Sequence, residues 1–140
     1  MGKKENTENT QNLKKFGTDG ENIARLFLEQ KGYEIIEKNY RAKNRKEIDI
    51  IAKKGEYIVF AEVKTRSSLK YGVPSESVNI NKQKHIISAA KYFLTVNWRL
   101  YAESQPRFDI IEVYRDRKTG KNYVRNIESA FIANEENSYN

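Results

Sequence analysis

Cysteine is absent from this 140-residue sequence, and histidine occurs only once. Without cysteine the chain has no disulfide framework, no thiolate nucleophile and no cysteine-based zinc site. The single histidine, His85, has no second histidine or cysteine with which to share a zinc ion. We therefore expect it to be a surface or helix-capping residue and not a metal ligand.

Long apolar runs are also lacking. No run approaches the ~20 residues of a membrane-spanning helix, and the polar N-terminus is unlike a signal peptide. We therefore expect a cytoplasmic protein with no membrane partner. The length and the lack of internal repeats predict one domain with a hydrophobic core. Residues 1–16 and 133–140 are mostly polar and predict a disordered arm and tail, which leaves residues 17–132 for the domain.

The chain carries a formal charge of +7 at neutral pH. This excess favours a polyanionic partner such as nucleic acid, although many basic proteins bind none. A basic loop over residues 41–46 is typical of a solvated face, but it leads directly into the segment that carries the candidate site, which supports contact with phosphate as the alternative. The cations that we expect to contact nucleic acid are Arg41, Lys43, Arg45, Lys46, Arg66 and Lys82.

The segments 47–53 and 57–65 are rich in Ile, Val, Phe and Tyr, and Lys54-Gly55-Glu56 is the turn-like sequence between them. This pattern predicts a β-hairpin. A turn centred between Gly55 and Glu56 sets the register of the two strands. One face then carries Glu47, Asp49, Ile51, Phe60, Glu62 and Lys64, and the other carries Ile48, Ile50, Ala52, Val59, Ala61 and Val63.

In this register Asp49 faces Glu62, and Glu47 faces Lys64. Facing residues have Cβ atoms ~4.5–5.5 Å apart, so the two carboxylates repel each other unless a cation or a proton lies between them. A hard divalent cation fits that gap. We therefore predict that Asp49, Glu62 and the carbonyl of Val63 bind Mg²⁺ or Mn²⁺. The alternative is a plain Glu47–Lys64 ion pair beside solvated carboxylates.

This set of side chains suits metal-assisted hydrolysis of a phosphodiester. Lys64 would orient the attacking water or neutralise charge in the transition state. Glu21 has two alternative roles that the sequence weighs equally. It lies three residues after Thr18, which is the spacing of a capping box, and it could also be a further ligand or water-orienting group near Asp49 and Glu62.

The remaining segments predict an α/β protein. The first helix ends at Gly32, a strand covers Tyr33–Tyr40, and the second helix runs from Asn79 or Asn81 to about Val96. Residues 67–77 predict a long loop that closes over substrate, with Tyr71 as a base-stacking or anchoring residue. Trp98 is expected to pack inside. Further predictions are a strand at 106–114, a short edge strand at 122–125 and a closing helix at 127–132. The order predicts a central mixed sheet (an αβββαβ core) with helices on both faces.

Asp49 and Glu62-Val63-Lys64 resemble the PD-(D/E)XK signature of restriction-endonuclease-like nucleases. A wider set of motifs resembles the YraN family of bacterial proteins over about residues 17–132. These motifs are Gly17-x-x-Gly20-Glu21, Asn39-Tyr40-Arg41, residues 47–52, residues 59–66, Tyr71-Gly72-x-Pro74, Lys82 and Arg107-Phe108-Asp109.

The YraN resemblance implies a restriction-endonuclease-like fold and a nuclease activity. It also implies a catalytic cluster of Glu21, Asp49, Glu62 and Lys64, as in archaeal Holliday-junction resolvases. The sequence departs from the family pattern in two places, with Lys46 where glycine is usual and Ala61 where valine is usual. Neither change removes a ligand, but Lys46 adds a cation before the strand.

Our first functional prediction is a Mg²⁺-dependent DNA endonuclease that acts in DNA repair or recombination, with branched DNA as a candidate substrate. The first alternative is a nucleic-acid-binding protein that keeps the fold without useful turnover. A basic scaffold with no nucleic-acid partner would leave the carboxylate pair unexplained. The sequence leaves open whether the substrate is DNA or RNA and whether the protein forms a homodimer.

Overall fold

The computed structural model describes residues 4–9 (backbone only), 19–43, 47–66 and 78–138. The described strands form one six-stranded mixed sheet with the order β1-β6-β5-β4-β3-β2. The strands are β1 (Lys4–Asn9), β2 (Glu34–Arg41), β3 (Glu47–Lys54), β4 (Tyr57–Arg66), β5 (Gln105–Arg115) and β6 (Asn122–Phe131). The helices are α1 (Gly20–Gln30), α2 (Ile80–Val96) and the short α3 (Trp98–Tyr101).

Helix α1 begins one residue later than the predicted capping box requires. Its N-cap is Asp19, whose Oδ1 accepts hydrogen bonds from the N–H groups of Glu21 (3.1 Å) and Asn22 (3.4 Å). The predicted cap at Thr18 is therefore wrong. The predicted end at Gly32 is confirmed, because this glycine has a φ of 93° that residues with a side chain rarely adopt.

The hairpin formed by β3 and β4 has the predicted register. Ladder pairs run from Lys54 with Tyr57 to Ile50 with Ala61, and Gly55 at the turn has a φ of 58°. Strand β5 then pairs in parallel with β4, whereas the other neighbouring strands are antiparallel. Helix α2 makes the crossover that a parallel pair needs. The predicted αβββαβ order is thus confirmed.

The two helices cover opposite faces of the sheet, as the sequence predicts. On one face α2 packs in the α2-side core, formed by Ile48, Ile51, Ile58, Phe60, Ile86, Ile87, Ala90, Phe93, Phe108, Ile110, Ile127, Ala130 and Phe131. On the other face α1 packs in the α1-side core, formed by Ile23, Ala24, Phe27, Leu28, Tyr33, Ile50, Ala52, Val59, Ala61, Ile111, Val113 and Val124. The α/β architecture is compatible with a restriction-endonuclease-like fold. No helix in the described ranges is long and apolar enough to cross a membrane.

Residues 122–125 form a strand, as predicted, but the strand is neither short nor at the edge, because it belongs to β6, which pairs with β1 and β5. The closing helix predicted at 127–132 is wrong, because β6 continues to Phe131. Ser129 has a left-handed φ of 53°, and its N–H donates to Asp109. This conformation interrupts the alternation of side chains, so that Ile127, Ala130 and Phe131 all reach the α2-side core. Their spacing of three and four residues imitates a helical stripe.

Both chain ends contain structure where we expected disorder. Residues 4–9 of the predicted arm pair with β6 as strand β1, so β6 is not an edge strand. At the other end, the buried side chain of Asn137 donates to the Gln83 side chain (2.9 Å) and to the Ile132 carbonyl (2.8 Å).

Trp98, expected to pack inside, is 57% exposed. His85 is exposed, as predicted.

Candidate metal and nucleic-acid site

Asp49 lies where the alternation of β3 breaks. Ile48 packs in the α2-side core and Ile50 in the α1-side core, although regular alternation would place both on one side. The prediction that these two residues share a face is therefore wrong. The half-buried Asp49 side chain turns towards β4, where its Oδ2 accepts a hydrogen bond of 2.8 Å from the Val63 N–H. The carboxylate thus lies between the two faces of the sheet.

Glu62 is the buried member of the acidic pair, with 6% of its surface exposed. Its Oε2 lies 3.7 Å from Lys64 Nζ and 3.8 Å from Lys82 Nζ. Its Oε1 is buried and has no hydrogen-bond partner among the described residues. Burial and the nearby charge of Asp49 raise the pKa of Glu62 to about 7, against the lowering effect of the two lysines. The two acids are close enough to share a hydrogen bond when one is protonated.

Glu21 joins the site from the first turn of α1. A methyl group on the preceding Gly20 would overlap the Thr65 hydroxyl, so the helix begins in close contact with the end of β4. Burial raises the pKa of Glu21, and the charge of Asp49 raises it further. A hydrogen bond from the Asn39 side chain acts in the opposite direction. Because the N-cap is Asp19, Glu21 is not the glutamate of a capping box with Thr18, and it lies within electrostatic range of Asp49.

Lys64 does not form the ion pair with Glu47 that the alternative interpretation requires. Its described ion pair is with Glu62, two residues earlier on the same strand. Glu47 instead acts electrostatically on Glu21, on the α1 side of the site. The Val63 carbonyl belongs to the residue whose N–H binds Asp49. The structure thus brings Asp49, Glu62, Val63 and Lys64 together. Glu21 lies within electrostatic range of Asp49, but it does not form a group of three acids with Asp49 and Glu62 that could hold a metal.

The predicted nucleic-acid contacts divide into three groups. Arg41 and Lys43 are exposed at the end of β2 and just after it. Arg66 and Lys82 are engaged within the protein, Arg66 with Glu112 (Nε–Oε2 3.4 Å) and Lys82 with Glu62. The other two cations, Arg45 and Lys46, lie outside the described residues, and so does the predicted loop at 67–77 with Tyr71.

The structure contains a buried ion pair, between Glu112 and Arg125, that the sequence analysis did not identify. Glu112 on β5 is 3% exposed and accepts from Arg125 Nε of β6 at 2.8 Å, and it also binds Arg66. The two residues lie next to each other across the β5–β6 ladder. Glu112 and Arg125 are thirteen positions apart in the sequence. Their ion pair could not be predicted from the sequence, because the register of β5 with β6 was not predicted. The pair links the interior of the sheet to a cation at the site.

The Arg107-Phe108-Asp109 motif has a structural role. Arg107 binds Asp109 through two hydrogen bonds (3.0 and 2.8 Å) and lies between the rings of Tyr33 and Tyr57. The Arg107 guanidinium also donates a hydrogen bond of 2.5 Å to the Tyr33 hydroxyl. Arg107 and Tyr57 lie near the β3–β4 turn. Asp109 pairs with Ala61, but its carboxylate binds Arg107 and not the acidic pair. This cluster stabilises the packing of β5 and does not extend the site.

The residues fit a divalent cation in part. Within the described ranges, no group of three or more His, Asp or Glu side chains is placed to hold a metal ion. Asp49 and Glu62 provide two carboxylates, and Glu62 Oε1 is a buried acceptor with no described donor. Mg²⁺ is commonly held by one or two carboxylates together with water and substrate phosphate. The donor set therefore suits a cation that is completed by substrate.

Comparisons with known proteins agree with the motifs. Residues 20–113 match the model of the uncharacterised protein family UPF0102. A UPF0102 protein of Caldicellulosiruptor bescii is 48% identical over 124 residues, which cover 86% of this chain and 99% of the relative. One from Caldanaerobacter subterraneus subsp. tengcongensis is 47% identical over 122 residues, covering 86% and 97%. A third, from Clostridioides difficile, is 49% identical over 104 residues, covering 74% and 88%. The chain therefore belongs to the UPF0102 family, which is the YraN family that its motifs resemble.

Proposed function

We propose that this protein is a Mg²⁺- or Mn²⁺-dependent nuclease that hydrolyses DNA phosphodiesters, with a role in DNA repair or recombination. The observation that carries the proposal is the buried Glu62 carboxylate beside Asp49, with one oxygen that has no described donor. A buried carboxylate next to another acid is costly unless a cation or a proton compensates it. The fold and the basic charge are compatible with this function.

The metal would be held by Asp49, Glu62 and the Val63 carbonyl. A divalent cation bound there would supply Lewis-acid activation of the phosphodiester. In the hydrolysis, the oxygen of water forms a bond to phosphorus, and the bond from phosphorus to one sugar oxygen breaks. One proton of the water is lost, and the departing sugar oxygen gains a proton. The products are a phosphate monoester and a hydroxyl group.

Lys64 would stabilise negative charge during this reaction. Its side chain is 31% exposed, so its ammonium group is accessible to a phosphate while it remains next to Glu62. An ammonium group held beside the scissile phosphate stabilises the additional negative charge of the transition state. Glu21, on the α1 side of Asp49, would orient a water molecule bound to the metal. Arg41 and Lys43 at the same end of the sheet are exposed and would contact the phosphate backbone.

The second candidate is a DNA-binding protein that has this fold but no useful turnover. The ion pairs that Lys64 and Lys82 form with Glu62 favour it, because they compensate part of the acidic charge without a metal. The distances of 3.7 and 3.8 Å are long for direct hydrogen bonds. The two lysines also leave Glu62 Oε1 without a hydrogen-bond donor. Because a metal ion could bind this oxygen, we prefer the nuclease to the binding protein.

Cleavage of branched and single-stranded DNA with Mg²⁺ or Mn²⁺ tests the proposal. We expect the wild-type protein to cut, and Asp49→Ala or Lys64→Ala to reduce the rate by a factor on the order of 10²–10³, because each removes charge stabilisation from the transition state. DNA binding, measured by fluorescence anisotropy in the presence of Ca²⁺, should persist in both variants. Matched controls are Glu56→Ala, on the exposed turn of the same hairpin, and Lys118→Ala, in the β5–β6 turn. Both should cut at the wild-type rate.

Two results would decide against the nuclease. Equal cutting by wild type and both site variants would mean that a contaminant is responsible. Salt-sensitive DNA binding by a wild type that never cuts would support the binding protein, since neutralising phosphates releases counterions and makes affinity fall with salt. Binding that does not respond to salt would argue against contact with the backbone in either case.

A further inference from the structure

Asn39 occupies an unusual place in the sheet. The ladder between β2 and β3 pairs Lys38 with Ile50 and Tyr40 with Ile48, so Asn39 lies directly opposite Asp49. Its φ is 52°, in the left-handed region, although it lies inside a strand. Asparagine is among the residues that tolerate this conformation best, but it still costs free energy relative to extended backbone. Strained residues of this kind occur frequently at functional sites.

The strain coincides with the break in alternation on the neighbouring strand. Across from Asn39, Ile48 and Ile50 point to different cores, and Asp49 between them is free to turn towards Val63. A regular partner strand would favour regular alternation in β3, because paired strands share one pleat. The left-handed residue on β2 and the irregular residue on β3 are therefore parts of one local distortion.

The side chain of Asn39 makes the second connection. Its amide is close enough to the Glu21 carboxylate, at the first turn of α1, to lower the pKa of that carboxyl by hydrogen bonding. The Asn39 side chain is exposed and packs in neither core. Core packing therefore does not account for an asparagine at this position. Asn39 thus contacts the site in two ways, through its backbone opposite Asp49 and through its amide at Glu21.

We propose that Asn39 is a positioning residue of the metal site, which sets Asp49 through the backbone distortion and holds Glu21 through its side-chain amide. The inference rests on the proposed metal-dependent function but concerns a residue outside the acidic cluster. Its function is to orient two carboxylates that come from different elements, α1 and β3. Removing the amide should loosen Glu21 without altering the fold.

Asn39→Gly separates the two contributions. Glycine adopts a positive φ without strain, so the variant keeps the backbone distortion and removes only the amide. We expect its thermal stability to be equal to or above that of wild type, and its Mn²⁺ affinity, measured by calorimetry without DNA, to fall several-fold. The matched control is Ser129→Gly, because Ser129 has nearly the same φ of 53° and lies outside the site. That variant should bind Mn²⁺ as tightly as wild type.

A double-mutant cycle tests whether Asn39 acts through Glu21. In the Glu21→Gln background, Asn39→Gly should change Mn²⁺ affinity little, because the carboxylate that the amide orients is already absent. Additive losses, or an unchanged affinity in the Asn39→Gly single variant, would overturn the inference and leave the proposed function intact. A wild type that binds no Mn²⁺ would overturn both. Binding of Mn²⁺ without any DNA cleavage would contradict only the nuclease.

Discussion

At the scale of the residue, Glu62 has the strongest electrostatic perturbation in the site. Burial removes its carboxylate from water, and Asp49 adds a second negative charge next to it. Two ammonium groups at 3.7 and 3.8 Å compensate only part of this cost. Because its pKa is raised to about 7, the metal-free acidic pair binds a proton close to neutral pH. A divalent cation would take the place of that proton.

This shift predicts how stability depends on pH. Between pH 4.5 and about 7 the folded protein binds a proton that the unfolded chain has released, so the free energy of unfolding falls as the pH rises through that window. The loss attributable to Glu62 is on the order of 3 kcal/mol. Urea unfolding of metal-free protein at pH 5 and pH 8 measures it. Glu62→Gln cannot titrate, so its stability should change less between the two pH values. Equal changes in both proteins would contradict the assignment.

At the scale of the element, the position of α1 depends on a close contact with β4. Gly20 begins the helix against Thr65, and Val63 Cγ1 is 3.9 Å from where a Cβ would lie. The next residue is Glu21, so this contact sets the distance from the Glu21 carboxylate to the acids on the hairpin. The requirement for glycine here is steric, and it couples helix packing to the geometry of the site.

Gly20→Ala should therefore destabilise the protein by about 1–3 kcal/mol, because the new methyl group overlaps the Thr65 hydroxyl. Combining it with Thr65→Ala, which removes that hydroxyl, should restore most of the loss. Chemical unfolding of the two single variants and the double variant measures the recovery. Thr65→Ala alone is the control and should cost little, since Thr65 is exposed. A double variant no more stable than Gly20→Ala would show that the overlap is not the cause.

The sequence predicts elements well where the signal is local. The β3–β4 hairpin was predicted with its register because alternation and a glycine turn both lie within a short segment. The alternation rule failed at Asp49, and the helix predicted around Ser129 was wrong, because bonds to distant partners decide both conformations. The Val63 N–H donates to Asp49, and the Ser129 N–H donates to Asp109. Neither bond has a signature in the neighbouring sequence. These deviations mark places where tertiary contacts outweigh local pattern.

At the scale of the whole molecule, the C-terminal segment closes on the first turn of α2. Asn137 is 1% exposed, and its amide bonds to Gln83 and to the Ile132 carbonyl. Its Oδ1 accepts from the Asn134 N–H at 2.8 Å. Gln83 follows Lys82, which pairs with Glu62. The chain end thus helps to hold the start of the helix that contributes a cation to the site.

Asn137→Ala should lower the free energy of unfolding by about 1–3 kcal/mol, because it removes buried hydrogen bonds and leaves their partners unsatisfied. Truncation after Ile132 should cost at least as much. Thermal or urea unfolding measures both changes. Glu136→Ala is the matched control, since its side chain is exposed in the same turn, and it should be close to neutral. If Asn137→Ala were as stable as wild type, the prediction would be contradicted, and the segment would behave as the disordered tail that its composition predicts.

The site itself could be predicted only in part. The carboxylates on β3 and β4 and the lysine on β4 share one hairpin, so their proximity follows from pairing alone. Glu21 and Lys82 come from helices on opposite faces of the sheet, and their positions depend on packing that periodicity does not specify. The resemblance to a family indicated Glu21, whereas the ion pair of Lys82 with Glu62 emerges only from the fold.

The outer strands of the sheet also limit how molecules of this protein can associate. All six residues of β1 are polar or charged, and at the other border β2 exposes Glu34, Glu37 and Lys38. Charged side chains along a border strand hinder the addition of a strand from a neighbouring molecule. Continuation of the sheet from one copy into the next is therefore disfavoured at both borders.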